Sequence, residues 1–148
     1  MNFFRISTKI LFFLCLFGVQ DLRAQSGTNQ IPPPQLLKVS ISSSGYNSSL
    51  ARAGDSVYVN FSVSEPVNPM GIQVEILGRD AAMSTNEGFQ HFSYYIVVTD
   101  DTPEEAIGFT VSNYMGFSGK TGEPVSQVTD GSSVTFVISK DIVMMISS

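Results

Sequence analysis

The sequence predicts an all-β antiparallel sandwich of about seven short strands. Three observations carry this. Apolar and polar residues alternate in short runs, most clearly where Val57, Val59, Phe61 and Val63 interleave with Ser56, Tyr58, Asn60 and Ser62. That is the period of a strand with one buried face. Turn residues separate the runs at intervals of roughly 8–20 residues, which suits stacked antiparallel sheets. Beyond the N-terminal two dozen residues, no window sustains the 3.6-residue period of an amphipathic helix.

The elements follow in chain order. Arg5 and Lys9 precede an apolar run over residues 10–19, and Leu22-Arg23-Ala24-Gln25-Ser26 follows it. Positive, apolar and small-residue regions in that order make a secretory signal with cleavage expected after Ala24. A membrane anchor is the competing reading, but a spanning helix needs about 20 apolar residues, and this run has ten. Residues 25–36 read as a linker, because Pro32, Pro33 and Pro34 favour an extended polyproline segment. Val39 and Ile41 start the first strand. The run from Ser56 to Val63 is the clearest strand, and Pro66 and Pro69 stop it. Ile72, Val74 and Ile76 give a third strand closed by Gly78, and residues 81–84 a short piece crossing the edge. Phe92, Tyr94, Ile96 and Val98 form the buried face of the next strand, with His91, Ser93, Tyr95 and Val97 facing outward. Ile107, Phe109 and Val111 make another, and Val134, Phe136 and Ile138 the last. The expected organisation is a signal peptide at 1–24, a linker at 25–36, the sandwich at 37–138 and a tail at 139–148.

Composition excludes several functions. Cys15 is the single cysteine and lies inside the apolar run. Once the signal is removed, no thiol remains for a disulfide, a thiolate metal site or a cysteine nucleophile. Removal takes Arg5, Lys9, Arg23 and Asp21, leaving five basic and twelve acidic residues, a net charge of −7. Such a chain repels nucleic acid and anionic membrane surfaces. A phosphate-binding loop fails too: Gly119-Lys120-Thr121 has Tyr114 where the first glycine would stand, and no helix pattern follows.

Three segments in fixed order carry a family resemblance. They are Asn47-Ser48-Ser49-Leu50-Ala51-Arg52-Ala53-Gly54-Asp55-Ser56-Val57, then Phe61-Ser62-Val63-Ser64-Glu65-Pro66-Val67, then Thr129-Asp130-Gly131-Ser132-Ser133-Val134-Thr135-Phe136. Together they resemble the bacterial Ig-like domains repeated in secreted and cell-surface adhesins, over about residues 37–136. The resemblance implies an immunoglobulin-like antiparallel β-sandwich and a non-catalytic role in adhesion or as a spacer. It departs from the family in the loop after the Phe109 strand, where Asn113 stands for the usual Asp and Phe117 for the usual Asn.

Two segments are candidate sites. Tyr114, Met115 and Phe117 place three large apolar side chains in a glycine-rich loop. Exposed apolar clusters mark contact sites, so these three are the candidate ligand contacts; the competing reading folds Tyr114 and Met115 back to cap the sandwich. Asp100, Asp101, Glu104 and Glu105 gather carboxylates of the kind calcium takes. Their spacing matches no EF-hand, and a solvated turn is the plainer reading. Calcium is thus the one cofactor left open. Outward Tyr58 and Tyr95 read as either a cross-strand packing pair or sugar-stacking residues. His91, the only histidine, lies on an outward face without a nucleophile elbow, so no catalytic residue is expected.

The leading expectation is a non-catalytic module, secreted or at the cell surface, with an extracellular protein or glycan as partner. It would be a monomer or one module of a larger adhesin, without a stable membrane span. The alternative is a small carbohydrate- or protein-binding module using loop aromatics.

Overall fold

The computed structural model describes residues 30–138, and these form nine strands. In chain order they are β1 (Leu36–Ser43), β2 (Leu50–Ala51), β3 (Ser56–Val63), β4 (Gln73–Ile76), β5 (Arg79–Asp80), β6 (Ala82–Glu87), β7 (His91–Val97), β8 (Phe109–Ser112) and β9 (Thr135–Phe136). A single 3₁₀ turn, Pro69–Gly71, is capped by Asn68, whose side chain accepts from the Met70 N–H. The expected signal peptide and the tail at 139–148 lie outside the described residues. Among those described, no helix is long and apolar enough to cross a membrane.

The alternation of the sequence becomes two antiparallel sheets. One has the order β1-β3-β7-β6 and the other β5-β4-β8. The second sheet is widened where Val111 and Val125 exchange backbone hydrogen bonds of 2.8 and 2.9 Å. β2 pairs in parallel with β9. Inward residues of both sheets share one apolar cluster, with Val39, Val59 and Phe61 from the first and Val74, Ile76 and Val111 from the second. The protein is all-β, consistent with a β-sandwich. Phe61 stacks on Phe92 at 5.4 Å and on Tyr94 at 5.9 Å between ring centroids. Each fully buried Val, Ile or Phe contributes roughly 1.5–3 kcal/mol, so this core holds the domain without a disulfide.

Turn chemistry sets the register. Leu77 and Gly78 both take positive φ (55° and 68°), the two-residue turn whose twist matches antiparallel strands. Between β6 and β7 the connection has three residues, 88–90, and Gly88 and Phe89 likewise take positive φ (60° and 57°). The outer edge of β1 is closed from the far end of the chain. Thr129 Oγ1 accepts from the Val39 N–H (3.0 Å), Ser132 Oγ from the Ile41 N–H (2.9 Å), and the Thr129 N–H donates to Val39 O (2.9 Å).

The structure departs from the sequence reading at several places, these among them. β1 begins at Leu36, inside the expected linker, and Pro34 is buried. Gln35 is tied to Ser64 by two hydrogen bonds of 2.9 and 3.0 Å. The expected short piece at 81–84 is a six-residue strand, β6. All of its residues are exposed, so no alternation betrayed it. Ile107 is buried but precedes β8. The last strand is only Thr135–Phe136, with Ile138 exposed beyond it.

Candidate functional site

The loop after β8 is built around Tyr114. Asn113 takes a left-handed conformation (φ 56°) and donates from its side chain to Gln73 Oε1 at 2.6 Å. The chain then drops Tyr114 into the core, 1% exposed, where its hydroxyl donates to the Glu123 carbonyl. Burial, with the nearby Glu123 carboxylate adding to it, pushes the Tyr114 phenol above its usual value. Beyond it, Gly116 N–H bonds Lys120 O and Gly119 N–H bonds Gly116 O, both at 2.9 Å. Phe117 sits on this turn, 74% exposed, and Met115 is 39% exposed. The expected contact trio is therefore divided. Met115 and Phe117 reach solvent; Tyr114 does not, because its hydroxyl and ring are both used in holding the loop.

The acidic turn is likewise spent on structure. Asp101 accepts from the Thr99 hydroxyl, which together with a backbone N–H and the more distant Arg79 holds its carboxyl below the usual range. Glu104 accepts from the Ile138 N–H at 2.9 Å. Among the described residues, no group of three or more His, Cys, Asp or Glu side chains is placed to hold a metal ion. Asp100, Asp101, Glu104 and Glu105 are not brought together as a ligand set.

A third feature emerges only from the strand register. On the outer face of the first sheet, directly opposed residues form rows across all four strands, since cross-strand partners share a face. One row runs Lys38–Ser62–His91–Glu87 across β1, β3, β7 and β6. The next runs Ser40–Asn60–Ser93–Thr85, and a third contains Ser42, Tyr58 and Tyr95. Tyr58 and Tyr95 stack at 5.6 Å with 29° between planes. The first two rows line a trough of about 350 Å³. A larger hollow of about 620 Å³ lies over the second sheet, where the Thr110 and Ser126 hydroxyls bond each other at 3.0 Å.

The described residues include three buried polar side chains: Ser43, Ser62 and Thr102. Ser43 Oγ accepts from Gly45 N–H and Thr102 Oγ1 from Thr99 N–H. Ser62, 8% exposed, makes no internal side-chain hydrogen bond and lines the trough, where its hydroxyl reaches solvent; among the described residues the one buried side-chain polar atom without a partner is the Tyr94 hydroxyl. The sequence shows Lys38, Ser62 and His91 to be outward-facing and gives no reading for Glu87. It does not show that 38, 62, 91 and 87 align, because that depends on pairings between distant strands.

Family models give no match to this chain, and no curated protein matches it.

Proposed function

We propose that the chain is an exported immunoglobulin-like module of the bacterial adhesin type, acting without catalysis in adhesion or as a spacer. The strand order carries this reading. β1, β3, β7 and β6 stand in the positions of strands A, B, E and D of an immunoglobulin constant-type sandwich. β4 and β8 stand in those of C and F, and the Val125 segment in that of G. The quoted sequence segments map onto this frame. Gly54 (φ 92°) and Asp55, whose carboxylate accepts from the Arg52 N–H at 2.9 Å, form the turn into β3.

The non-catalytic part rests on the row containing Ser62, His91 and Glu87. These are the residue types of a nucleophile, base and orienting acid, yet no hydrogen bond joins them among the described residues. Beneath them, β3 and β7 are paired on both sides, so their backbone N–H groups are engaged in the ladder and none is free to serve as an oxyanion donor.

Expression of the full-length chain in a bacterial host tests the reading. Mass spectrometry of the exported product is expected to find cleavage after Ala24, and beads coated with it are expected to adhere to cells without turnover of ester, peptide or glycoside substrates. Retention inside the cell with an intact N-terminus, or measurable hydrolysis, would overturn it. A second reading, a small carbohydrate- or protein-binding module using loop aromatics, is favoured by Phe117, which is 74% exposed on the turn after β8.

A further inference from the structure

We infer that the end of the sandwich around Phe117 is a docking surface for a protein segment whose apolar anchors are flanked by basic residues. This deepens the second reading and rests on it. Three segments meet at this end, where β3 stops and β7 starts. The Val67 N–H donates to Phe89 O and the Asn68 N–H to Met115 O, both at 3.0 Å, and Val67 bridges Gly116. Residues 67–68 thus stand between the β6-β7 turn and the loop after β8, two strand spacings or about 10 Å apart. Each segment presents a large apolar side chain. Met70 is 93% exposed, and Phe89 joins Met115 and Phe117 in reaching solvent. Clustered apolar exposure of this kind marks an interaction site.

Residue chemistry selects a protein partner. A sugar site needs polar groups converging beside its apolar surface. Here the nearest amides are spent internally: Asn68 Oδ1 accepts from the Met70 N–H at 3.1 Å, and Asn113 donates to Gln73 Oε1 at 2.6 Å. Two methionines and two phenylalanines remain to make contacts. Methionine is flexible and polarizable, and surfaces that carry it repack around apolar side chains of varied shape.

Charge fixes the rest. A Cβ at Gly116, between Met115 and Phe117, would stand 2.7 Å from Glu65 Oε1, so this carboxylate lies within the patch. Glu87 stands two residues before Phe89. Lys120 is the single basic residue over 65–71, 87–90 and 113–121, in a chain that is net acidic. Lys or Arg beside the partner's anchors would complement the two carboxylates. A second copy would bring its own Glu65 and Glu87 to a two-fold contact, and an anionic membrane would meet the same repulsion.

The test is selection of random short peptides, displayed on phage, against the purified protein, followed by fluorescence anisotropy with the enriched peptide. Enrichment of aromatic or aliphatic anchors flanked by Lys or Arg is expected, with affinity falling as salt rises. Phe117→Ala and Met70→Ala should each weaken binding about tenfold. Glu65→Gln should weaken it and flatten the salt dependence. Tyr46→Ala, on an exposed residue beyond the other end of β1, should leave it unchanged. Thermal melting checks that each variant folds. Enrichment of acidic peptides or of none overturns the inference, as does binding that survives both Phe117→Ala and Met70→Ala. Calorimetry with neutral oligosaccharides separates the failures: sugar binding lost in Phe117→Ala, without peptide binding, overturns the inference and keeps the second reading. Flotation with phosphatidylcholine vesicles, or self-association by sedimentation, that depends on Phe117 in place of peptide binding also overturns it. Silence in every assay overturns both and leaves the spacer reading.

Discussion

The ring of Tyr114 occupies the volume that a side chain at Gly122 would need. A Cβ at Gly122 would overlap Cε2 and Cζ of the ring and stand 2.5 Å from the Pro34 carbonyl oxygen. The Gly122 N–H also donates to Tyr114 O at 3.1 Å. One glycine thus lets the loop after β8, the start of β1 and a buried aromatic meet at a single point.

Gly122→Ala is therefore expected to destabilise the domain by about 3 kcal/mol, at the upper end of overpacking costs because backbone and a packed ring must both move. Tyr114→Phe keeps the ring and loses the bond to Glu123 O, at about 1 kcal/mol. Phe117→Ala, on the exposed turn, stays within about 0.5 kcal/mol. Urea denaturation of the three variants measures the series. Equal losses for Phe117→Ala and Gly122→Ala would show that the loop is not organised around Tyr114.

The strands with one buried face were legible because alternation is local: Val57 to Val63 needs no knowledge of its partners. β6 was not, since Met83, Ser84, Thr85 and Asn86 are all exposed, and its strand character comes from pairing with β7 alone. The loop aromatics were legible as a set, but not their division. Only tertiary packing, through Gly122 and Pro34, distinguishes buried Tyr114 from exposed Phe117. The sheet-face rows were hidden for the same reason. Lys38 and Glu87 belong to one row only because β3 and β7 bridge them.

The clamp on β1 predicts a link between stability and association. Thr129→Val and Ser132→Ala remove the acceptors for the Val39 and Ile41 N–H groups. Each should cost about 1 kcal/mol. The double variant also uncovers a strand edge, which invites pairing with another chain. Analytical ultracentrifugation is expected to show concentration-dependent self-association in the double variant above that of the wild-type chain. A less stable double variant without that increase would show that the clamp serves stability alone.

Two buried tyrosines set the alkaline limit. Burial raises the Tyr94 phenol, whose hydroxyl has no hydrogen-bond partner among the described residues, and burial chiefly raises Tyr114. In the unfolded chain both ionise near pH 10. The folded state therefore holds its protons more tightly. Their contribution is fully present below about pH 10 and falls as pH rises from there through the raised folded values. Thermal melting against pH should show a decline starting near pH 10, in step with tyrosinate absorbance. Tyr94→Phe removes an unsatisfied polar atom, so it should be neutral or stabilising by up to about 1 kcal/mol at pH 7, and should soften the decline. An alkaline limb unchanged in both Tyr94→Phe and Tyr114→Phe would place its origin elsewhere.

The acidic turn is expected to behave as a tether. Asp101 is engaged by the Thr99 hydroxyl and Glu104 by the Ile138 N–H, while the Glu105 carbonyl accepts from the Phe136 N–H at 3.0 Å. These bonds fasten the chain around β9 to the turn and leave the carboxylates without a shared centre. Millimolar calcium should therefore leave the melting temperature essentially unchanged, because a ligand stabilises only by binding the folded state. Glu104→Ala should instead loosen the segment at Ile138, at a cost of at most about 1 kcal/mol since water can replace the lost acceptor. Hydrogen exchange of the Ile138 amide reads this directly: protection should fall in Glu104→Ala with or without calcium. A calcium-dependent rise in melting temperature that disappears in Glu104→Gln would show that the turn rearranges to bind the ion.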